Sequence, residues 1–390
     1  MIPRHIQQEL FLQLGESPIV TVLGPRQSGK TTLVRSALRD FDYVNLEDPE
    51  ARELAFSDPK ALLRRHPSPL ILDEIQRVPQ LLSYLQAIVD QTSTPGQYVL
   101  TGSHQLQLRE AIVQSLAGRT GLLHLLPLSM AELRAHAGDA ITDFESCAFR
   151  GFLPRVHAYR QRPHTAYANY YQTYVERDVR QLLQVKDAVL FEKFVRLLAG
   201  RVGQLINYQS LGADVGVDAK TVRHWLSVLE ASYLVFRLPP YFNNFGKRLI
   251  KTPKIYFTDT GLLCYLLGIE RAEQLARDPL IGQVFENLIV LEALKARFNQ
   301  GLGPNLYFFR DSQGMEIDLL QPSGAGDLLG IEIKAASTWH ASLKQALLSF
   351  SGKIAPLARQ AVIYRGERIA FSDGVLALPF TDTASLFGSR

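Results

Sequence analysis

Three short, mostly apolar runs in the first third of the chain, residues 18–23, 69–72 and 98–100, each lead into small or polar residues. Such runs read as strands buried on both faces, which predicts a parallel sheet with helices between the strands. A helical pattern follows Thr31, residues 47–65 alternate acids and apolar residues at helical spacing, and 111–134 read as a helix followed by a strand. Residues 167–198 are rich in helix formers and place Tyr170, Tyr171, Tyr174, Val175, Val179 and Leu182 on one face, an aromatic stripe that reads as core. Residues 208–211 begin a helix that ends in the turn 212–217. Asp218 then opens a second helix with Val222, Leu226 and Leu229 at i, i+4 and i+7, and Trp225 completes its core. Residues 233–238 and 254–257 read as a strand pair around a loop, 285–290 as helix, and 315–320 and 330–335 as paired strands.

Between the first strand and its helix stands Gly24-Pro25-Arg26-Gln27-Ser28-Gly29-Lys30-Thr31, the full G-x4-G-K-T spacing of a phosphate-binding loop. Backbone N–H groups of such a loop point inward and the helix N-terminus adds partial positive charge, so it cradles phosphate oxygens. Gly24 and Gly29 permit the backbone angles, and Gln27, Ser28 and Thr32 complete the cradle. Lys30 brings a full charge to the outer phosphates, and the Thr31 hydroxyl is placed to ligate Mg²⁺. ATP and Mg²⁺ are therefore the expected ligands.

The second strand ends in Asp73-Glu74, at the carboxyl edge where a parallel sheet delivers its chemistry. Asp73 is the expected Mg²⁺ carboxylate with Thr31, and Glu74 the expected base for the attacking water. After the third strand, Ser103 is the first choice, and Thr101 the second, for a polar group touching the outer phosphate or that water; the alternative is that both cap the next helix.

This order of elements, with Leu72-Asp73-Glu74 and Leu100-Thr101-Gly102-Ser103, resembles the AAA+ ATPases. Gly24-Pro25-Arg26-Gln27, Ser115-Leu116-Ala117-Gly118-Arg119 with Pro127-Leu128-Ser129, and Tyr174-Val175-Glu176-Arg177-Asp178-Val179 resemble a prokaryotic AAA+ group with a C-terminal domain of unknown function. The resemblance covers nearly the whole chain and implies an ATPase without naming a pathway. Gly151-Phe152-Leu153-Pro154 stands where that group often has a second glycine.

Composition narrows the setting. Cys147 and Cys264 are far apart and form no C-x-x-C pair, which argues against a disulfide scaffold or structural zinc and fits a reducing cytoplasm. Residues 1–7 lack the apolar core of a signal peptide, no apolar stretch is long enough to cross a bilayer, and a soluble protein is expected. A net charge of +4 permits nucleic-acid binding without arguing for it, so any basic surface must be local.

The middle of the chain reads as a winged helix, in which Lys220, Arg223, His224, Lys247 and Arg248 are placed to meet DNA phosphates; winged helices also serve as protein-packing modules. Arg177 and Arg180 project from a helix from which an arginine reaches a nucleotide of its own or a neighbouring subunit, in the latter case in a homo-oligomer. Arg119 competes for that role, and the alternative for Arg177 and Arg180 is a salt bridge to Glu176 or Asp178 on a packed surface. Farther on, Glu286 lies in a helix, while Asp318, Glu332 and Lys334 lie on strands. Period two puts Glu332 and Lys334 on one face. With Asp318 alongside they resemble the PD-(D/E)xK nuclease arrangement, a second Mg²⁺ site supplemented by Glu286. The competing reading is an ordinary half-exposed strand paired to solvent-facing neighbours.

The expected fold is thus α/β: a P-loop AAA+ type parallel sheet over 1–135, a helical lid or linker over 136–200, a winged-helix-like domain over 201–265 and a restriction-endonuclease-like α/β domain over 266–390. Two functions follow: an ATPase acting on or regulated by DNA, or an ATP-dependent switch that binds protein partners through non-catalytic C-terminal modules.

Overall fold

The structure, a computed structural model, describes residues 2–92, 94–103, 115–137, 143–179, 188–241, 252–324 and 326–388, with the side chains of 176–178 excepted. Arg180, Leu182, Lys247, Arg248, the side chain of Arg177 and the start of the segment 111–134 lie outside the described residues. The chain forms two compact units. One comprises Met1–Leu128 with the short returning segments Ala231–Leu234 and Phe298–Leu302; the other holds the remainder.

The first unit is built on strands β1 (Ile19–Leu23), β2 (Asp42–Asn45), β3 (Leu70–Asp73), β4 (Tyr98–Gly102) and β5 (Thr120–His124). They form one parallel sheet in the order β2-β3-β4-β1-β5. All five residues of β1, which lies between β4 and β5, are buried, including Thr21, whose hydroxyl lies 3.0 Å from that of Thr120. Helices α1 (Gln7–Glu16) and α2 (Lys30–Ala37) supply Leu10, Leu33 and Val34, and Ile6 just before α1 joins them, in a core with Val20, Val22, Ile71 and Val99. The helical spacing over 47–65 resolves into α3 (Pro49–Ser57) and α4 (Pro59–Arg65). Pro59 removes an N–H that would continue α3, and Asp58 accepts from Ala61 N to start α4. At the far end of β5 the His124 ring lies 2.7 Å from the Tyr233 hydroxyl and against Phe298 at 4.9 Å between centroids.

The strand expected within 111–134 is β5, and the second unit then opens on a helix, Met130–Ala137, that this reading did not include. Ser129 N donates to the Glu132 carboxylate at 2.8 Å and Glu132 N to the Ser129 hydroxyl at 3.2 Å, a capping box that outweighs the apolar run before it. The tyrosine stripe is core, but not on one helix type: Pro163–Tyr170 is α-helical and Tyr171–Val179 π-helical, with Tyr170, Tyr171, Tyr174, Val175 and Val179 buried. Helices Tyr208–Val215 and Ala219–Ala231 flank a turn at Gly216, whose φ of 98 suits glycine. Trp225 packs edge-on against Phe191 and Phe194 at 5.7 and 5.3 Å. The following strands, β6 (Val235–Leu238) and β7 (Lys254–Phe257), pair antiparallel. β6 starts two residues later than predicted because Tyr233 adopts a positive φ of 55, which no strand accommodates.

The chain then enters the buried helix Ile281–Phe298 and a mixed six-stranded sheet. Its strands are β8 (Tyr307–Arg310), β9 (Glu316–Pro322), β10 (Leu328–Ile333), β11 (Arg359–Tyr364), β12 (Ile369–Ala370) and β13 (Val375–Pro379), in the order β12-β13-β11-β10-β9-β8. β10, β11 and β13 run parallel, while β8, β9 and β12 pair antiparallel. Trp339 stacks on Phe371 at 4.6 Å beside this sheet.

At Gly151-Phe152-Leu153-Pro154 there is no space for a side chain on Gly151: a Cβ would strike the Tyr167 hydroxyl and Asp259. Phe152 N donates to Asp259 at 2.9 Å, so the single glycine suffices for the turn. The His157 ring donates to the Gly151 carbonyl across 2.8 Å, yet burial holds the imidazole below its usual 6.5. The unfolded chain then takes up the proton more readily, and stability falls as pH drops through the unfolded value. His157→Gln is expected to lose less stability than the parent between about pH 7 and about pH 5, measured by urea midpoints; an equal loss removes His157 from the acid response.

Candidate functional site

The phosphate-binding loop leaves β1 at the carboxyl edge of the parallel sheet. Gly24 has no room for a Cβ, which would collide with the Leu125 carbonyl of the next strand's extension. Gln27 and Gly29 both hold positive φ, 61 and 94, turning the backbone so that α2 starts at Lys30 with no side-chain cap. Its first N–H groups are thus left for a ligand. Ser28 Oγ is buried without a partner, and the Lys30 ammonium donates to the Gly24 and Pro25 carbonyls at 3.0 and 2.9 Å. Burial pushes Lys30 down to about 8 against the pull of Glu74 and Asp73. A phosphate group at this loop would supply the missing counter-charge. Thr32 stands exposed on the first turn of α2.

Three hydroxyls converge on Asp73. Thr31 Oγ1 donates to Oδ2 at 2.8 Å, Tyr43 Oη to the same oxygen at 2.7 Å, and Thr101 Oγ1 to Oδ1. Burial and the bond to Asp73 raise the Tyr43 phenol above its ordinary range, so it remains a donor. A hydroxyl and a carboxylate already side by side are the hard oxygen donors Mg²⁺ takes, so Thr31 and Asp73 fit that ion.

Glu74 follows with a φ of 59 that turns it out of the strand. Its carboxylate accepts from Gln76 Nε2 and, at 3.1 Å, from Ser103 Oγ; its backbone N–H donates to Thr101 Oγ1 at 3.1 Å. The two polar residues at the end of β4 therefore divide the work: Thr101, on the strand, holds Asp73, and Ser103, just past it, holds Glu74.

Arg119 stands elsewhere. It precedes β5 at the amino edge of the sheet and forks onto Asp90, one arm at 2.9 Å. From Ile19 beside it to Leu23 at the loop is four residue steps, roughly 13 Å along the strand. That separates it from its own chain's phosphate loop.

A second site lies wholly within the second unit. Glu286, Asp318, Glu332 and Lys334 line one cavity of about 740 Å³ together with Lys254 and Glu316. Asp318 of β9 accepts from Ile333 N at 2.8 Å and from the Lys334 ammonium at 3.1 Å; that ammonium also lies 2.7 Å from Glu332 of β10. Glu332 is only 3% exposed, so the half-exposed-strand reading does not describe it. Burial, then Asp318, push its acid up to about 8, and its Oε1 is buried without a partner. Burial opposes charge on Lys334, but the two carboxylates outweigh it and raise its pKa. Lys254 on β7 bridges Glu286 at 2.8 Å and Glu316 at 2.6 Å, and Tyr256 Oη donates to Glu286 at 2.5 Å. Among the described residues, no three carboxylate, imidazole or thiolate groups converge as a metal cage.

An uncharacterized protein of Mycobacterium tuberculosis, Rv2008c, is 36% identical over 387 residues, spanning 96% of this chain and 83% of that one. The family model described as AAA domain matches residues 16–134, and two described as domains of unknown function, DUF8612 and DUF4143, match 141–273 and 281–383. The chain belongs to this family of AAA-domain proteins. A Haemophilus influenzae protein, also uncharacterized, is 24% identical over 336 residues, 78% of this chain and 81% of that one. The Walker-type ATPase PABY2304 of Pyrococcus abyssi aligns with a TM-score of 0.45 at 15% identity, over 68% of this chain and 96% of that one. AMPPCP-bound DnaA from Aquifex aeolicus aligns at 0.28 and 15%, over 58% and 85%. Neither alignment bears on function.

The AAA domain contains the phosphate loop, Asp73 and Glu74, and is the nucleotide-binding part of the chain. The acidic cavity draws Lys254 from the stretch matched by the first domain of unknown function and its acids from the second. Tyr43, Gln76, Lys254, Tyr256 and Glu316 were not foreseen. Lys254 and Tyr256 had one legible signal, the period-two spacing that puts both on one face of β7. Arg4 had none: its guanidinium donates to the Ser28 carbonyl at 2.6 Å and the Leu126 carbonyl at 2.7 Å, bracing the loop.

Proposed function

We propose that this AAA-domain protein hydrolyses ATP and couples the hydrolysis to nucleic acid engaged by its second unit. Glu74, oriented by Ser103 and Gln76, is the base toward water, and Lys30 with the loop N–H groups binds the phosphates. Thr31 and Asp73 hold Mg²⁺, which when bound neutralises charge on the phosphate oxygens. Tyr43 and Thr101 keep Asp73 in place. Arg119 or Arg177 would then serve as a finger for a neighbouring subunit.

In the second unit, Tyr208–Val215 and Ala219–Ala231 act as the two helices of a winged helix. Lys220, Arg223 and His224 all stand exposed on the second, where they meet backbone phosphates. The observation that carries the nucleic-acid reading is the cavity in which Asp318, Glu332 and Lys334 meet on adjacent strands with Glu286 opposite. Mg²⁺ commonly sits on one or two carboxylates plus substrate phosphate oxygens, and the unpartnered Glu332 Oε1 beside Asp318 fits that demand. On this reading residues 266–390 form a PD-(D/E)xK nuclease-like domain and cleave a phosphodiester with metal assistance. One observation favours the rival, a protein-directed ATP switch: Lys254 and Lys334 already neutralise the acids of the cavity.

The test is ATP turnover by the full chain with and without DNA, across a salt series, followed by a gel of that DNA. DNA-stimulated turnover that weakens steeply with salt is expected. Asp318→Ala should abolish Mg²⁺-dependent nicking and leave ATP turnover intact. Turnover indifferent to DNA, with no nicking by the parent, would transfer the assignment to the protein-directed switch.

A further inference from the structure

The cavity of the second unit has two halves that are chemically unlike. In one, Asp318 and Glu332 share the Lys334 ammonium, and Glu332, 3% exposed, keeps Oε1 buried with no partner. In the other, Glu286 from the helix and Glu316 from β9 are bridged by a single ammonium, that of Lys254, at 2.8 and 2.6 Å. Tyr256 adds its hydroxyl to the same Glu286 oxygen, and Arg310 reaches Glu316 from outside at 3.4 Å. The Lys254 side chain is 4% exposed, so this ammonium is a fixed internal cation and not a surface group that swings away.

Two-metal phosphodiester sites hold their ions about 3.5–4 Å apart and need carboxylates on both sides. Each acid pair here is bridged by one ammonium, but the Lys334 side chain is 37% exposed and leaves Glu332 Oε1 unpartnered, whereas that of Lys254 is 4% exposed and holds its two carboxylates as a metal ion would. We infer that the cavity takes one divalent cation, at Asp318 and Glu332, and that Lys254 stands where a second ion would otherwise be held. This rests on the metal-dependent reading of the cavity. It goes further in fixing the stoichiometry and in making Lys254, a residue of the preceding hairpin, a positioning residue for Glu286 and Glu316.

Mn²⁺ is the probe, counted in the nucleotide-free full chain as the difference between the parent and Asp318→Ala, with paramagnetic resonance of the parent as a second readout. One Mn²⁺ with the hyperfine-resolved signal of an isolated ion is expected. Lys254→Met should raise the count to two and Lys254→Arg should keep it at one. Two ions in the parent, or an exchange-broadened signal, would overturn the inference and leave the metal-dependent reading standing. A folded Lys254→Met that still holds one ion does the same. No Asp318-dependent Mn²⁺ at all would remove both. Where Lys254→Met fails to fold, the count and spectrum of the parent decide.

Discussion

Glu74→Gln is expected to bind ATP with Mg²⁺ as the parent does and to hydrolyse it about 10²- to 10⁴-fold more slowly. The side chain stands off the nucleotide cradle: its carboxylate is held by Gln76 and Ser103, whereas the loop groups are Lys30, Ser28 and the N–H groups opening α2. An amide of the same shape keeps the volume and loses the basicity. Lys30→Ala is the contrasting change. It removes the buried cation whose charge is disfavoured until phosphate arrives, so nucleotide affinity itself should be lost. Equilibrium binding of a fluorescent ATP analogue, read beside steady-state phosphate release, separates the two. Unchanged release by Glu74→Gln would take the base role away from Glu74, and lost binding would make it a structural residue of the loop.

The largest stability effect is expected away from either site, in the pair Glu292 and Lys295 on the helix Ile281–Phe298. Their side chains are 1% and 2% exposed and meet at 2.8 Å. Glu292 also accepts from Met130 N at 2.9 Å, which ties the start of the second unit to this helix, and the Lys295 ammonium lies 3.7 Å above the Phe152 ring. Lys295→Met leaves a buried carboxylate without its counter-charge, at a cost of about 3–5 kcal/mol. Adding Glu292→Gln should recover most of that loss, because a neutral amide still accepts from Met130 and the carboxylate bonded to Lys295 is gone. Urea midpoints by circular dichroism compare the variants. Equal losses in the single and double variants would mean that Lys295 contributes by packing its stem and ring contact alone.

What could be read from the chain followed the length scale of each interaction. The phosphate loop, Asp73 and Glu74 were legible because strand, loop and helix are consecutive in sequence and their chemistry is fixed by spacing. Asp318, Glu332 and Lys334 were legible for the related reason that period two and a short antiparallel connection bring them together. Tyr43 was not, since its reach to Asp73 depends on β2 lying beside β3, and no local pattern states which strands neighbour which. Lys254 was hidden similarly, by a hairpin that reads as part of a helical module yet turns one face toward another sheet's acids. In the segment 111–134 the strand was legible and is β5, whereas the helix Met130–Ala137 was not foreseen although Ser129 and Glu132 carry a capping-box spacing. The change to π-helical winding at Tyr171 has no signal in residue types that we can identify.

The two tryptophans of the chain, Trp225 wedged against Phe191 and Phe194 and Trp339 stacked on Phe371, both belong to the second unit. Light absorbed by indole is consequently emitted from the modules that follow the AAA domain in the chain. The unlabelled protein thus carries its own optical reporter. A shift in tryptophan emission on adding ATP would register a change in the surroundings of the second unit's own aromatic core.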